Sequence, residues 1–133
     1  MHRLPTEAQW EYAARGGADA SSMTKYAGSN DLNAVGWYFI NSGSKTHPVG
    51  QKAPNGYGLY DMSGNVIELC NDWYGAYTAN AQTNPVGPLS GSSFVRRGGS
   101  WYDQPDYARL SHRFWFFPDD LGYYYGFRLV RTP

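Results

Sequence analysis

Between Arg97-Gly98-Gly99-Ser100-Trp101 and Gly126-Phe127-Arg128-Leu129-Val130-Arg131 the chain carries ten aromatic residues in 25 positions. They include the runs Phe114-Trp115-Phe116-Phe117 and Tyr123-Tyr124-Tyr125, together with Trp101, Tyr102 and Tyr107. A strand turns alternate residues to one side, and a helix turns every third or fourth. Neither period can direct consecutive aromatics into one core, so part of this segment must face outward. Exposed aromatic clusters mark recognition surfaces. The first functional expectation is therefore binding, ahead of chemistry. The competing reading packs these rings into the core of a fold that has little regular structure to bury. For Trp101 and Phe127 that core reading is preferred, whereas Phe116, Phe117, Tyr123 and Tyr124 are expected to be exposed.

The rest of the composition narrows the field. At 133 residues the chain suits one domain with a real core. Eleven basic residues balance eleven acidic ones, so there is no electrostatic footprint for nucleic acid or an anionic membrane. No apolar run is long enough to span a bilayer. No signal peptide precedes the first helix, and the sequence leaves the compartment open. Cys70 is alone, which excludes an intrachain disulfide and two-cysteine metal patterns within the chain. Sixteen Gly and eight Pro imply many turns, while the aromatic content argues for order.

Local signals give an outline of the elements. Thr6 with Gln9 forms a capping box for a helix running to Arg15, and Gly16-Gly17 stops it. Residues 17–34 and 75–93 read as loops, and Gly36–Ile40 as a short apolar segment. Pro54-Asn55-Gly56-Tyr57-Gly58 and Ser63-Gly64-Asn65 are turn chemistry. Strands are expected over Val66–Tyr74, Phe94–Trp101 and Phe127–Val130. One early helix with short later strands predicts a loop-rich α+β fold.

Four motifs are specific in combination: Arg3-Leu4-Pro5-Thr6-Glu7-Ala8-Gln9-Trp10-Glu11-Tyr12-Ala13-Ala14-Arg15-Gly16-Gly17, Asn55-Gly56-Tyr57-Gly58-Leu59-Tyr60-Asp61-Met62-Ser63-Gly64-Asn65-Val66-Ile67-Glu68, Arg97-Gly98-Gly99-Ser100-Trp101 and Gly126-Phe127-Arg128-Leu129-Val130. Together they resemble the formylglycine-generating-enzyme (sulfatase-modifying factor) domain, a branch of the C-type lectin-like fold. The resemblance implies one such domain over residues 1–133, without the N-terminal portion that the family domain normally carries. Its members include copper-dependent oxidases, hercynine-oxygenase-type iron enzymes and binding proteins diversified by retroelements. Where the oxidases carry their copper-binding cysteine pair, this sequence has Asp103 and Ala108. Copper(I) requires soft thiolates, which these side chains cannot replace. The iron enzymes take histidines from a further domain, and His2, His47 and His112 form no metal-spaced pair. No copper or iron is therefore expected. Cys70 is read as a buried small hydrophobe, and His47 as a loop residue held by hydrogen bonds. A metal-dependent oxidase or oxygenase remains the alternative function.

What remains is the binding class. In retroelement-diversified members, the segment corresponding to 97–130 is the variable region, and its rewritten positions match Tyr102, Asp103, Gln104, Tyr107, His112, Phe114, Trp115, Phe116, Phe117, Asp120, Gly122, Tyr123 and Tyr124. Trp115 departs from that scheme, because adenine changes alone cannot convert an Asn codon to Trp. Tyr and Trp offer large rigid contact area at low entropic cost, as in antibody loops. The expected product is a non-catalytic display protein whose unknown ligand is itself a protein. Framework Arg96, Arg97, Arg109, Arg113 and Arg128 are expected to hold loops through backbone carbonyls and Asp72 or Asp119.

The resemblance also implies a structural calcium, held by the side chains of Asp61 and Glu68 with the carbonyls of Gly64 and Val66. Calcium takes six to eight hard oxygens, so those four account for only part of a site. Asn65 is assigned to hydrogen-bonding the loop backbone. The sugar-binding triplets of calcium lectins, Glu-Pro-Asn and Trp-Asn-Asp, do not occur, so carbohydrate is not the default ligand.

Overall fold

A computed structural model describes residues 1–19 and 21–133; Ala20, inside the loop expected over 17–34, lies outside the described residues. Helix α1 (Glu7–Arg15) begins as its capping box requires, with Thr6 Oγ1 accepting from Gln9 N and Gln9 reaching back to Thr6 N. Gly16, at φ 63°, ends it in the left-handed conformation that a side chain disfavours. Asn55 then caps the same end from a distance, donating to the carbonyls of Ala13 (2.7 Å) and Ala14 (3.1 Å). That is the physical role of the Asn55-Gly56-Tyr57-Gly58 turn.

Four strands form the main sheet, in the order β4 (Phe114–Phe116), β3 (Phe94–Arg97), β2 (Ile67–Trp73), β5 (Tyr125–Gly126). The neighbours are antiparallel except β2 and β5, which run parallel. A separate two-stranded pair joins β1 (His2–Arg3) to β6 (Val130–Arg131) and brings the two ends of the chain together. A short α2 (Leu32–Val35), capped by Asp31, lies within the stretch read from sequence as loop. Its two buried residues, Leu32 and Val35, explain why it forms despite that polar surrounding.

Three strand expectations need trimming. The one over Phe94–Trp101 stops at Arg97, because Gly98 (φ 94°) and Gly99 (φ 70°) leave the extended region. Of the closing strand expected over Phe127–Val130 only Val130 is strand, in β6; residues 127–129 are not extended in a sheet, and β5 ends before them at Gly126. The strand expected over Val66–Tyr74 is one residue shorter at each end.

The main core gathers Trp10 and Ala14 from α1, Cys70 from β2 and Val95 from β3, with Ala27, Met62 and Leu110. A second cluster under α2 contains Tyr26, Leu32, Val35, Tyr38 and Ala108. Alternation along β2 turns Glu68, Cys70 and Asp72 inward. Two of those are carboxylates, and each finds a donor: Trp10 Nε1 bonds Glu68 at 2.8 Å, and Glu7 N bonds Asp72 at 2.9 Å.

The most demanding buried group is Arg97, 1% exposed at the end of β3. It donates to Glu7 (3.2 Å), to Glu11 and to the carbonyl of Leu110 (2.9 Å). Glu7 also receives two bonds from Arg113, at 2.9 and 2.6 Å. Burial works against ionising Glu11, but the charge of Arg97 and the hydrogen bonds from Arg15 and Arg97 outweigh it and lower its pKa. Stability from that depressed carboxylate is complete above the ordinary Glu range and is lost as pH falls through its folded value.

Glu7→Gln removes the charge that both arginines share. We expect it to cost about 3 kcal/mol and to lower Tm by roughly 10 °C. Thermal melts of the variant check this, and an unchanged Tm would show that the network contributes little.

Candidate functional site

The sheet register and two turns determine where the aromatic segment sits. Cross-strand pairing places Phe94 beside Phe116 and Arg96 beside Phe114. Side chains two apart on a strand share a face, so Phe94, Arg96, Phe114 and Phe116 lie together. Trp73, opposite Phe94 in β2, joins them and stacks on Phe94 with centroids 4.2 Å apart. The guanidinium of Arg96 sits 4.3 Å over the Phe114 ring and bonds Tyr125 Oη at 3.1 Å. Rings then follow one another across the surface: Phe94 to Phe116 (5.7 Å), Phe116 to Tyr125 (6.0 Å), Tyr125 to Tyr124 (5.8 Å), Tyr124 to Tyr102 (5.7 Å) and Tyr102 to Phe39 (6.3 Å).

Local bonds hold that row in place. Trp101 Nε1 donates to the Tyr123 carbonyl at 3.0 Å, tying the 100–103 turn to the 121–125 segment. Asp103 accepts from Ser100 N and Oγ, and Asp120 accepts from Phe117 N, so both acids brace turns. Phe39 N donates to the Asp103 carbonyl at 3.0 Å, which brings a residue from far upstream to the edge of the face.

The expected binding residues therefore divide. Tyr102, Gln104, Tyr107, Trp115, Phe117, Asp120 and Tyr123 are exposed, with Tyr123 the most open of the tyrosines at 89%. Asp103, His112, Phe114, Phe116 and Tyr124 are half-buried. For Phe116 and Tyr124 this corrects the expectation of free exposure, because neighbouring rings cover one side of each. The reverse correction applies to the residues expected in the core: Trp101 is half-buried, and Phe127, beyond the end of β5, is 66% exposed. Phe39, Trp73 and Phe94 join the face from outside residues 97–130. Only the turn at 36–40 and the β2–β3 register bring them there, and local sequence encodes neither relation.

The framework arginines also differ from expectation. Arg97, Arg113 and Arg128 use backbone carbonyls as foreseen, with Glu7, Glu11 and Glu68 as carboxylate partners instead of Asp72 or Asp119, whereas Arg96 bonds neither a carbonyl nor a carboxylate. Arg128 clasps Glu68 with two bonds (2.7 and 2.6 Å) and reaches the Tyr60 carbonyl. Arg109 meets only exposed Asp106, at 3.3 Å.

Asp103 lies where the resemblance puts an oxidase cysteine, beside a cavity of about 20 Å³. Arg97 and His112 also line it, and Arg97 Nε and His112 Nε2 are buried without partners. The space suits one water molecule and excludes an organic substrate. Burial lowers the His112 pKa, and the charges of Arg97 and Arg96 lower it further. Cys70 is buried in the core, and burial pushes its thiol pKa far up, away from the reactive thiolate.

At the expected calcium loop, Asp61 Oδ2 accepts from Gly50 N while Oδ1 is buried with no partner. Glu68 already accepts three hydrogen bonds, from Trp10 and Arg128. About one of its roughly four acceptor positions remains. The open oxygen of Asp61 therefore suits a cation, and Glu68 can add only a single oxygen. Among the described residues, no three His, Cys, Asp or Glu side chains gather where they could hold a metal ion. Asn65 bonds the backbone of His47 in both directions, as assigned. His47 stacks on Trp37 at 3.7 Å and meets the Ser42 carbonyl at 2.6 Å. No helix among the described residues is long and apolar enough to cross a membrane.

Comparison with known proteins places this geometry among relatives. The model of the sulfatase-modifying factor enzyme 1-like domain matches residues 1–133. The structure of Treponema denticola variable protein 1 superposes with a TM-score of 0.89 and 46% identity, covering 96% of this chain and 46% of that one. A formylglycine-generating enzyme of Thermomonospora curvata is 36% identical over 98% of this chain and 50% of its own length. A chaperone protein LppX of Paenibacillus barcinonensis is 36% identical over 98% and 49% respectively. The chain thus spans about half the length of these relatives.

Truncating individual rings separates display from packing. Tyr123→Ser should change stability by less than about 0.5 kcal/mol. Phe116→Ser should cost about 2 kcal/mol because its ring is covered on one side. Urea midpoints of the two variants test this, and equal midpoints would contradict the division.

Proposed function

Since the chain belongs to the formylglycine-generating-enzyme (sulfatase-modifying factor) domain family and has that family's loop-rich, C-type lectin-like α+β fold, its role turns on its own residues, and we propose non-catalytic ligand binding. The observation that carries this reading is the row of rings from Phe39 to Trp73, crossing the segment 102–125. The structural likeness to a variable protein supports it. So does the Asp103 position, which offers a carboxylate already committed to Ser100 where the oxidases have a thiol.

The ligand is a protein surface. Neighbouring rings meet at angles of 85°, 33°, 73° and 41°, so they present alternating edges and faces. Interdigitating side chains fit such a surface better than flat sugar rings do. The exposed charged residues of the segment 102–125 are Asp106, Asp119 and Asp120 against Arg109, a net acidic balance that disfavours nucleic acid. Residues 102–125 supply the part of the face that varies between gene copies, and Phe39, Trp73 and Phe94 supply a constant border. In this reading a structural calcium is held by Asp61, one remaining position on Glu68 and the carbonyls of Gly64 and Val66. The ion would stiffen the loop that precedes β2.

Purified protein is expected to leave a sulfatase cysteine peptide unchanged, with or without copper. Formation of formylglycine, read by mass spectrometry, would overturn the binding reading. Sequencing the flanking DNA tests diversification: the expected result is a near-copy of the codons for 97–130, altered at adenines, beside a reverse-transcriptase gene. Millimolar calcium should raise Tm by several degrees over an EDTA control, since a ligand of the native state stabilises it. Superimposable melts would remove the ion from this account.

A further inference from the structure

Next to the Trp73 end of the aromatic row, α1 and the loop 75–88 enclose an open cleft of about 750 Å³. That volume is typical of sites for small organic molecules. Of the residues 97–130 only Arg113 reaches it, and Trp73 is the one ring of the row that lines it, so the cleft adjoins the binding face and takes only Arg113 from that segment. Tyr12, Trp73, Tyr77, Pro85 and Pro88 supply much of its wall.

The charges within it are unequally satisfied. Glu7 is shared by Arg97 and Arg113, and Glu11 by Arg97 and Arg15. Each nitrogen of Arg113 is engaged, by Glu7 or the Gly75 carbonyl, and its Cζ lies 4.0 Å from the Tyr77 ring centroid. Asp72 differs. It is 4% exposed, and none of the ion pairs among the described residues includes it. Its Oδ1 accepts the Glu7 amide at 2.9 Å, while Oδ2 accepts no hydrogen bond among the described residues and the side chain borders the cleft. Gly87, at φ 81°, lets the loop approach this carboxylate; a Cβ there would lie 2.9 Å from Asp72 Cβ. Burial, together with the charge of Glu7, raises the Asp72 pKa, and the Glu7 amide and the charge of Arg113 offset this only in part.

A nearly buried carboxylate with one uncommitted oxygen, at the wall of an apolar cleft, lacks a cationic donor. We propose that this cleft binds a primary ammonium on a short apolar arm, with the ammonium donating to Asp72 Oδ2 and the arm packing against Tyr12, Tyr77 and Pro88. The same chemistry belongs to a free arylalkylamine and to the lysine side chain of a peptide.

The test titrates the ¹⁵N-labelled full chain with phenethylamine, with Nα-acetyl-lysine methylamide, and with neutral 2-phenylethanol. At least one amine should shift the amide resonances of Ala76, Tyr77 and Thr78 saturably, and the alcohol should bind at least about tenfold more weakly. Whichever amine binds more tightly identifies the source. Asp72→Asn keeps an acceptor for the Glu7 amide, so it should melt like the parent protein while losing about tenfold in amine affinity. Tyr77→Ala should weaken both amines and lower Tm by only a few degrees, since Tyr77 is 68% exposed and packs its ring face on Arg113. Equal shifts from amine and alcohol would overturn the proposal, as would no saturable shift from either amine. An Asp72→Asn protein of normal stability and unchanged affinity would also overturn it. The fate of the aromatic face is read separately, by protein binding at residues 102–125, so either conclusion can fail alone.

Discussion

Arg97 is the group on which this architecture depends. Its guanidinium is buried at the end of β3, yet a buried cation is tolerated only where opposite charge and acceptors surround it. Two carboxylates from one turn of α1 and the Leu110 carbonyl meet most of that demand at the two terminal nitrogens, while Nε faces the small cavity beside Asp103. The helix is thereby fixed to the sheet, and the chain leading into β4 is fixed to both. Arg113 extends the network by gripping Glu7 from the other side, just before Phe114 enters the sheet. The aromatic face thus rests on an ionic layer directly behind it.

A second pair does the same at the other edge. Glu68 points inward from β2, where Trp10 and Arg128 satisfy it. Arg128 follows β5 closely, so this clasp fixes the segment that ends the row of tyrosines. Arginine–glutamate anchors hold the backbone beneath the row of rings, and Asp103 and Asp120 brace its flanking turns. Tyr123 and Tyr102 contribute little to the core, whereas Phe116 and Tyr124 serve both packing and contact. Variation at the second kind of position carries a stability cost that variation at the first does not.

The cleft beside α1 makes different use of the same helix. Glu7 and Glu11 face arginines and are neutralised; Asp72, one strand register away, caps the start of the helix and leaves an oxygen over. One acidic cluster therefore contains both structural and uncommitted charge. Only the pairing, and not the count of charges, separates them.

Much of this was legible in the chain itself. The Thr6–Gln9 capping box, the Gly16 stop and the alternation through β2 depend on neighbours in sequence, and local chemistry decided them. The density of aromatics in 101–125 likewise required an outward-facing cluster, since no single backbone period buries consecutive rings. Other features needed the folded molecule. Whether Phe116 or Phe127 is covered depends on where β5 stops and which strand lies opposite. Phe39 joins the face through one backbone bond to Asp103, and Trp73 through register with Phe94. Arg97 selects Glu7 and Glu11 over Asp72 because helix docking, and not sequence spacing, sets those distances. The sequence determined the elements and the character of the surface; tertiary packing decided which side chains form it, because burial and ion pairing are relations between segments far apart in the chain.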